Sequence, residues 1–178
     1  FGNGGDGVRI ENASNNAIDI TGDAPEVRNI ISGNSGSGVR ITGATASGNT
    51  VRGALIGVDA DGTAAVPNGE HGIYVDGSPS TEIGGASVDQ GNLISGNTSY
   101  GIRITGAVSL SNVVHGNYIG TNLDGTAAIP NQAGIVLDNA ANTNSIGGAN
   151  PGAGNVISGN SSCGILLTNA GTENNTIK

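Results

Sequence analysis

Cysteine occurs once, at Cys163, and methionine and tryptophan do not occur at all. A single thiol cannot form an intrachain disulfide, so no covalent framework braces the chain and the redox compartment is not written in its cysteines. Aromatic residues are confined to Phe1, Tyr74, Tyr100 and Tyr118. Basic residues are nearly as scarce: six Lys and Arg stand against 14 Asp and Glu, giving a formal charge of −8. That balance argues against the clustered positive surface needed to neutralise a phosphate backbone, and nucleic acid is not an expected partner. Apolar runs extend over a few residues only, far short of the roughly 20 needed for a membrane-spanning helix. The lack of an initiator Met, with termini that fall inside a repeat pattern, reads as a single domain over residues 1–178 cut from a longer chain.

What is abundant is glycine, 33 residues in 178, together with asparagine and regularly placed Ile, Val and Leu. The order is periodic, with a unit of about 63 residues. Asn29-Ile30-Ile31-Ser32-Gly33-Asn34 returns as Asn92-Leu93-Ile94-Ser95-Gly96-Asn97, and after the same interval again as Asn155-Val156-Ile157-Ser158-Gly159-Asn160. Within this unit a strand-like segment recurs about every 10 residues. Alternate segments make one column starting near 7, 29, 49, 72, 92, 112, 134, 155 and 175; the other runs near 17, 38, 81, 101, 144 and 164, with less regular members near 54 and 117. Two strands per coil gives three coils of about 21 residues per unit, about eight in the chain, and a rod of about 40 Å at the strand spacing of ~4.8 Å.

The strands alternate as half-buried strands must, with Val39 and Ile41 inward and Arg40 outward, Ile102 and Ile104 inward and Arg103 outward, Ile73 and Val75 inward and Tyr74 outward. Gly and Asn at the strand boundaries supply the left-handed backbone that tight corners need. The expected class is therefore all-β, a β-solenoid. Asn29, Asn49, Asn92, Asn112, Asn155 and Asn175 fall at equivalent places in one column, where stacked carboxamides can bond coil to coil. Ile30, Leu93 and Val156 break the alternation, and burial at a corner accounts for them better than an exposed line.

The segments GNVISGNSSCGILLTN, NVVHGNYIGTNLDGTAAIPNQAGIVL and NTNSIGGANPGAGNVISGN resemble the repeats of secreted and surface-exposed bacterial parallel β-helix proteins, over essentially the whole chain. The resemblance implies a right-handed parallel β-helix, the fold shared by pectate lyases and mannuronan epimerases, and an extracellular or cell-surface location. It transfers no catalytic residue, because the repeated motif consists of corner and core residues.

Chemistry is confined to a few places. Asp59 and Asp61 precede a Gly-Thr pair, matched one unit later by Asn122 and Asp124; oxygen ligands at alternate positions before a Gly turn suit Ca²⁺, and equally a plain Asp-Gly turn. Carboxylate pairs serve glycoside hydrolysis, and Asp59, Asp61, Glu70 and His71 are the candidate catalytic residues, although the repeat alone explains their spacing. Outward Arg40 and Arg103, read as three coils or about 14 Å apart, could meet an acidic polysaccharide, with Tyr74 offering a sugar-stacking face. His71 and His115 lack zinc-ligand spacing.

The sequence thus points to a non-enzymatic β-helix segment of a secreted or cell-surface protein, a rigid spacer or a recognition surface for polysaccharide or cell-surface components. The alternative is a polysaccharide lyase, epimerase or hydrolase. No resident cofactor is expected apart from the Ca²⁺ reading, and uncapped coil edges predict end-to-end self-association. Since the repeated positions are explained by corners and core, specific activity belongs where the units depart from the period, in the 69–76 stretch and at outward strand sites that differ between coils.

Overall fold

The computed structural model describes residues 2–19, 28–87 and 89–178; Phe1, which the sequence puts just ahead of the first strand, lies outside them. Short strands follow one another in turns of three. The first turn holds β1 (Val8–Glu11), β2 (Ala17–Ile18) and β3 (Ile30–Ile31); the second, β4 (Val39–Thr42), β5 (Thr50–Val51) and β6 (Leu55–Ile56). The third holds β7 (Ile73–Asp76), β8 (Glu82–Gly84) and β9 (Leu93–Ile94), and the fourth β10 (Tyr100–Thr105), β11 (Val113–His115) and β12 (Tyr118–Ile119). β13 (Ala133–Asp138), β14 (Ser145–Ile146) and β15 (Val156–Ile157) make the fifth, and β16 (Ile165–Leu167) and β17 (Thr176–Ile177) follow. Every pairing between turns is parallel, and no helix forms among the described residues.

Three sheets result. The first is β1-β4-β7-β10-β13-β16, the second β2-β5-β8-β11-β14-β17, the third β3-β6-β9-β12-β15. The chain is a parallel β-solenoid of about five turns, and its coil is not the one expected from sequence. Asn3, Asn34, Asn68, Asn97, Asn131 and Asn160 occupy the same corner in successive coils and stand 31, 34, 29, 34 and 29 residues apart. The repeat unit is therefore two coils, one of 34 and one of 29 residues, and not three shorter ones. The strand positions read from sequence are right and their closure is wrong. Only three residues separate Val51 of β5 from Leu55 of β6, and two separate His115 of β11 from Tyr118 of β12. Corners this short bend the chain without reversing it, and three such strands are needed to return to the start.

Ile and Val from all three sheets fill the prism: Val39, Ile41, Ile73, Val75, Ile102 and Ile104 from the first, Val51, Ile83 and Val114 from the second, Ile56, Ile94 and Ile119 from the third, all fully buried. Each such side chain contributes about 1.5–3 kcal/mol. The motif Gly-(Ile/Val)-x-(Ile/Val/Leu) owes its glycine to the stacking of coils, because a Cβ on Gly72 would lie 2.6 Å from the Gly101 carbonyl oxygen and 2.5 Å from Ile94 Cγ2.

The asparagines form three ladders rather than one. At the corner entering the first sheet, the row from Asn3 to Asn160 stacks with each Nδ2 donating to the next Oδ1 at 2.8–3.0 Å. Asn49, Asn112, Asn144 and Asn175 belong to the corner between the first and second sheets, with Thr81 taking the place of one member. Asn92, Asn117 and Asn155 stack between the second and third, in the corner row that also holds Asn29. The six asparagines expected in one column are thus divided between two corners.

Ile30, Leu93 and Val156 are not corner residues. With Leu55 and Tyr118 they form a row in register on the outer face of the third sheet. Two flaps fold over that row, one after β6 and one after β12, each pinned by an antiparallel bridge, Val58 with Ala65 and Thr121 with Ala128. Leu55, Val58, Leu93 and Ile129 pack beneath them with Tyr118, while Ile30 and Val156 at the margins remain 51% and 39% exposed. The flaps account for the unequal coils: both lie between ladder asparagines 34 residues apart, and the coils of 29 residues carry none.

Candidate functional site

The outer face of the first sheet carries one row of functional side chains. Parallel register places Arg9, Arg40, Tyr74, Arg103 and Val136 side by side along the rod. Arg40 and Arg103 are therefore two coils apart, about 9.6 Å, and not the three coils expected from sequence. Tyr74 lies between them, with the Arg40 guanidinium carbon 4.7 Å and that of Arg103 5.5 Å from the ring centroid. Both approach the ring as cation–π partners.

A cavity of about 390 Å³ opens beside this stack, lined by Arg40, Gly69, Glu70, His71, Tyr74, Ser99 and Arg103. Five of the residues singled out in the sequence meet here: Arg40, Arg103, Tyr74, Glu70 and His71. Gly69, Glu70, His71 and Tyr74 come from the 69–76 stretch where the period slips. Ser99 was not anticipated; it belongs to the next coil and becomes a neighbour only through the way β7 and β10 pair.

Each charged group is partly engaged. Glu70 Oε2 accepts a bond of 3.1 Å from Ser37 Oγ and lies 3.9 Å from Arg40 Nη1. Arg103 Nη2 donates to Asp138 Oδ2 at 2.8 Å, a carboxylate almost wholly buried. Burial disfavours the Arg103 charge, but the bond and charge of Asp138 outweigh it and hold the guanidinium above its ordinary value. Tyr74 is also raised, by burial first and then by Asp76.

His71 is buried, with its ring stacked on Tyr100 at 5.1 Å and 14° and tilted against Tyr74 at 5.1 Å. Its Nδ1 accepts the Tyr100 backbone N–H at 3.3 Å, so in the neutral ring the proton is on Nε2. Burial, reinforced by Arg103 and Arg40 and opposed by Glu70 and Asp138, lowers its pKa to about 4.

The other candidates sit elsewhere. Asp59 caps a flap turn: its Oδ1 accepts the backbone N–H groups of Thr63 and Ala64 at 2.8 and 3.1 Å, which holds its carboxyl below the usual range. Asn122 does the same for Thr126 and Ala127. Asp61 and Asp124 are exposed in the two flap turns, away from the groove. Among the described residues no three His, Cys, Asp or Glu side chains gather as a metal site. His115 belongs to a network on the outer face of the second sheet, where Glu82 bridges His115 Nε2 at 2.9 Å and Arg52 Nη2 at 2.6 Å.

No family model matches the chain, and neither a curated protein nor a solved structure matches it. What the structure bears out of the expected resemblance is the fold class, a parallel β-solenoid.

Proposed function

We propose that this chain is a binding module, a rigid β-solenoid of a secreted or cell-surface protein whose first sheet presents a groove for an anionic carbohydrate. The observation that carries the reading is the Arg40–Tyr74–Arg103 stack along the cavity wall. Two guanidiniums two coils apart pack against the ring between them, and Asp138 occupies only part of the Arg103 donor fork. Ser99 and the Nε2–H of His71 add donors, and Glu70 adds an acceptor for hydroxyls. The volume suits one or two sugar rings. The resemblance to secreted repeat proteins supports the location.

Turnover is the weaker reading. Glycoside cleavage asks for two carboxyl groups free to act as acid and as base or nucleophile. Here Glu70 is held by Ser37 and Arg40, Asp138 by Arg103, and the basic nitrogen of His71 by Tyr100.

Isothermal titration with a uronic-acid oligosaccharide, a sulfated one and their neutral parent tests the reading. The acidic ligands should bind at least tenfold more tightly than the neutral one, more weakly as salt rises, and at least fivefold more weakly to Arg103→Gln. Equal affinity for charged and neutral sugars, or no binding to any, would discard it.

A further inference from the structure

His71 has no counterpart in the other repeat units. The residue at its place before the recurring glycine is Asp6, Ser37, Tyr100, Ala133 or Cys163 in the other coils, and of the six only His71 can gain a positive charge. Its setting is built from several elements. Tyr100 of β10 stacks on the ring and ties Nδ1 through its amide; Tyr74 of β7 tilts against it. Among the charged groups facing it, Arg103 of β10 and Arg40 of β4 oppose a proton on the ring, while Glu70, its chain neighbour, and Asp138 of β13 favour one. The two cations are also the residues that a bound anion would neutralise. Whatever anion enters the cavity removes part of the field that keeps His71 neutral.

We propose that His71 couples ligand charge to a proton: in mildly acid solution a bound anion places a proton on the imidazole, so that acidic ligands are taken up together with H⁺ while neutral ones are not. The inference rests on the groove reading above. In the free protein burial and the two guanidiniums favour the neutral imidazole, which gains its proton only as pH falls toward about 4. With the anion present the ring gains its second N–H, the bond from Tyr100 to Nδ1 is surrendered, and Nε2–H becomes a charge-assisted donor toward the ligand. Linkage fixes the consequence for affinity. If the midpoint of His71 rises by one pH unit on binding, the ligand binds about fivefold more tightly at pH 4 than at pH 7.

The test is an NMR titration of the imidazole in the intact chain, with and without a sulfated tetrasaccharide, whose own charge stays constant across the range, and with its unsulfated parent. The expected midpoint is about 4 in the free protein, at least one unit higher with the sulfated sugar, and unmoved by the neutral one. Calorimetry should show proton uptake at pH 5, abolished in His71→Gln, which keeps an amide donor but cannot titrate. A sulfated sugar that binds without moving the midpoint overturns this inference and leaves the groove reading intact. A pH-dependent affinity that persists in His71→Gln also overturns it. No binding of the sulfated sugar at any pH removes the groove reading, and this inference with it.

Discussion

An asparagine in this chain does three things at once. Asn97 donates its backbone N–H and its Nδ2 to Asn131 Oδ1, sends Nδ2 also toward the Ile56 and Ser95 carbonyls, and accepts from Asn68 with its own oxygen. All of these groups are out of water, so each satisfies a corner that would otherwise bury an orphan. Asn97→Ala strips Asn68 of its acceptor and leaves Ile56 and Ser95 carbonyls short of a donor. It should cost about 2–4 kcal/mol in urea unfolding, against about 1 kcal/mol for Asn160→Ala near the exposed margin. The one polar interruption supports the same account: Thr81 keeps its backbone bond to Asn112, yet its hydroxyl is buried with no partner among the described residues. The chemistry of these residues is legible in the sequence, since a recurring Asn before a strand can hardly serve otherwise. Their sorting into three ladders is not, because the same residue type performs the same task at every corner.

At the level of strands and flaps, the sequence discloses where each element lies but not what covers it. Strict alternation marks Leu93 as outward, and it is outward; what seals it is a flap that starts two residues after a neighbouring strand and reaches it from outside. The Asp-Gly turn is visible in the sequence as a turn and also as a cation loop, and Asp59 caps that turn through the backbone N–H groups of Thr63 and Ala64. Asn122 performs the equivalent capping without a charge, which makes a clean experiment. Asp59→Asn should fold with an unchanged flap. Because the Asp59 carboxyl is held below its ordinary value, it adds stability above pH 4 that disappears as pH falls through its lowered folded value. The variant should lose that component of the acid dependence and no other, as read from Tm between pH 2 and 6. The groove was partly legible too: the slip in the period at 69–76 pointed to it. Ser99 and the pairing of Arg103 with Asp138 were hidden because both depend on three strands, and not two, closing each coil.

For the molecule as a whole, the flap explains why the sequence repeats after two coils and not after one. A flap is two chain segments wide, about 9.6 Å at the strand spacing, which is the height of two coils. Flaps on successive coils would occupy the same space, so flap-bearing and plain turns must alternate. Removing residues 39–101 joins Gly38 to Ile102 and deletes one such pair; the shortened chain should unfold cooperatively. Removing only residues 73–101 keeps every core position in register but sets the two flaps on adjacent coils. That protein should expose one flap to rapid hydrogen exchange or fail to fold; equal protection of both flaps would refute the argument. The ladders have a consequence of a different kind. In all three, the carboxamide of one coil gives its hydrogen to the coil that follows and takes one from the coil before, so their dipoles do not cancel as those of strands do. They add along the axis, with the oxygen poles toward the N-terminal side and the N–H poles toward the C-terminal side, the reverse of an α-helix. A molecule of net acidic composition therefore carries an electrical direction, and any coil or partner stacked on it meets acceptors on one side and donors on the other.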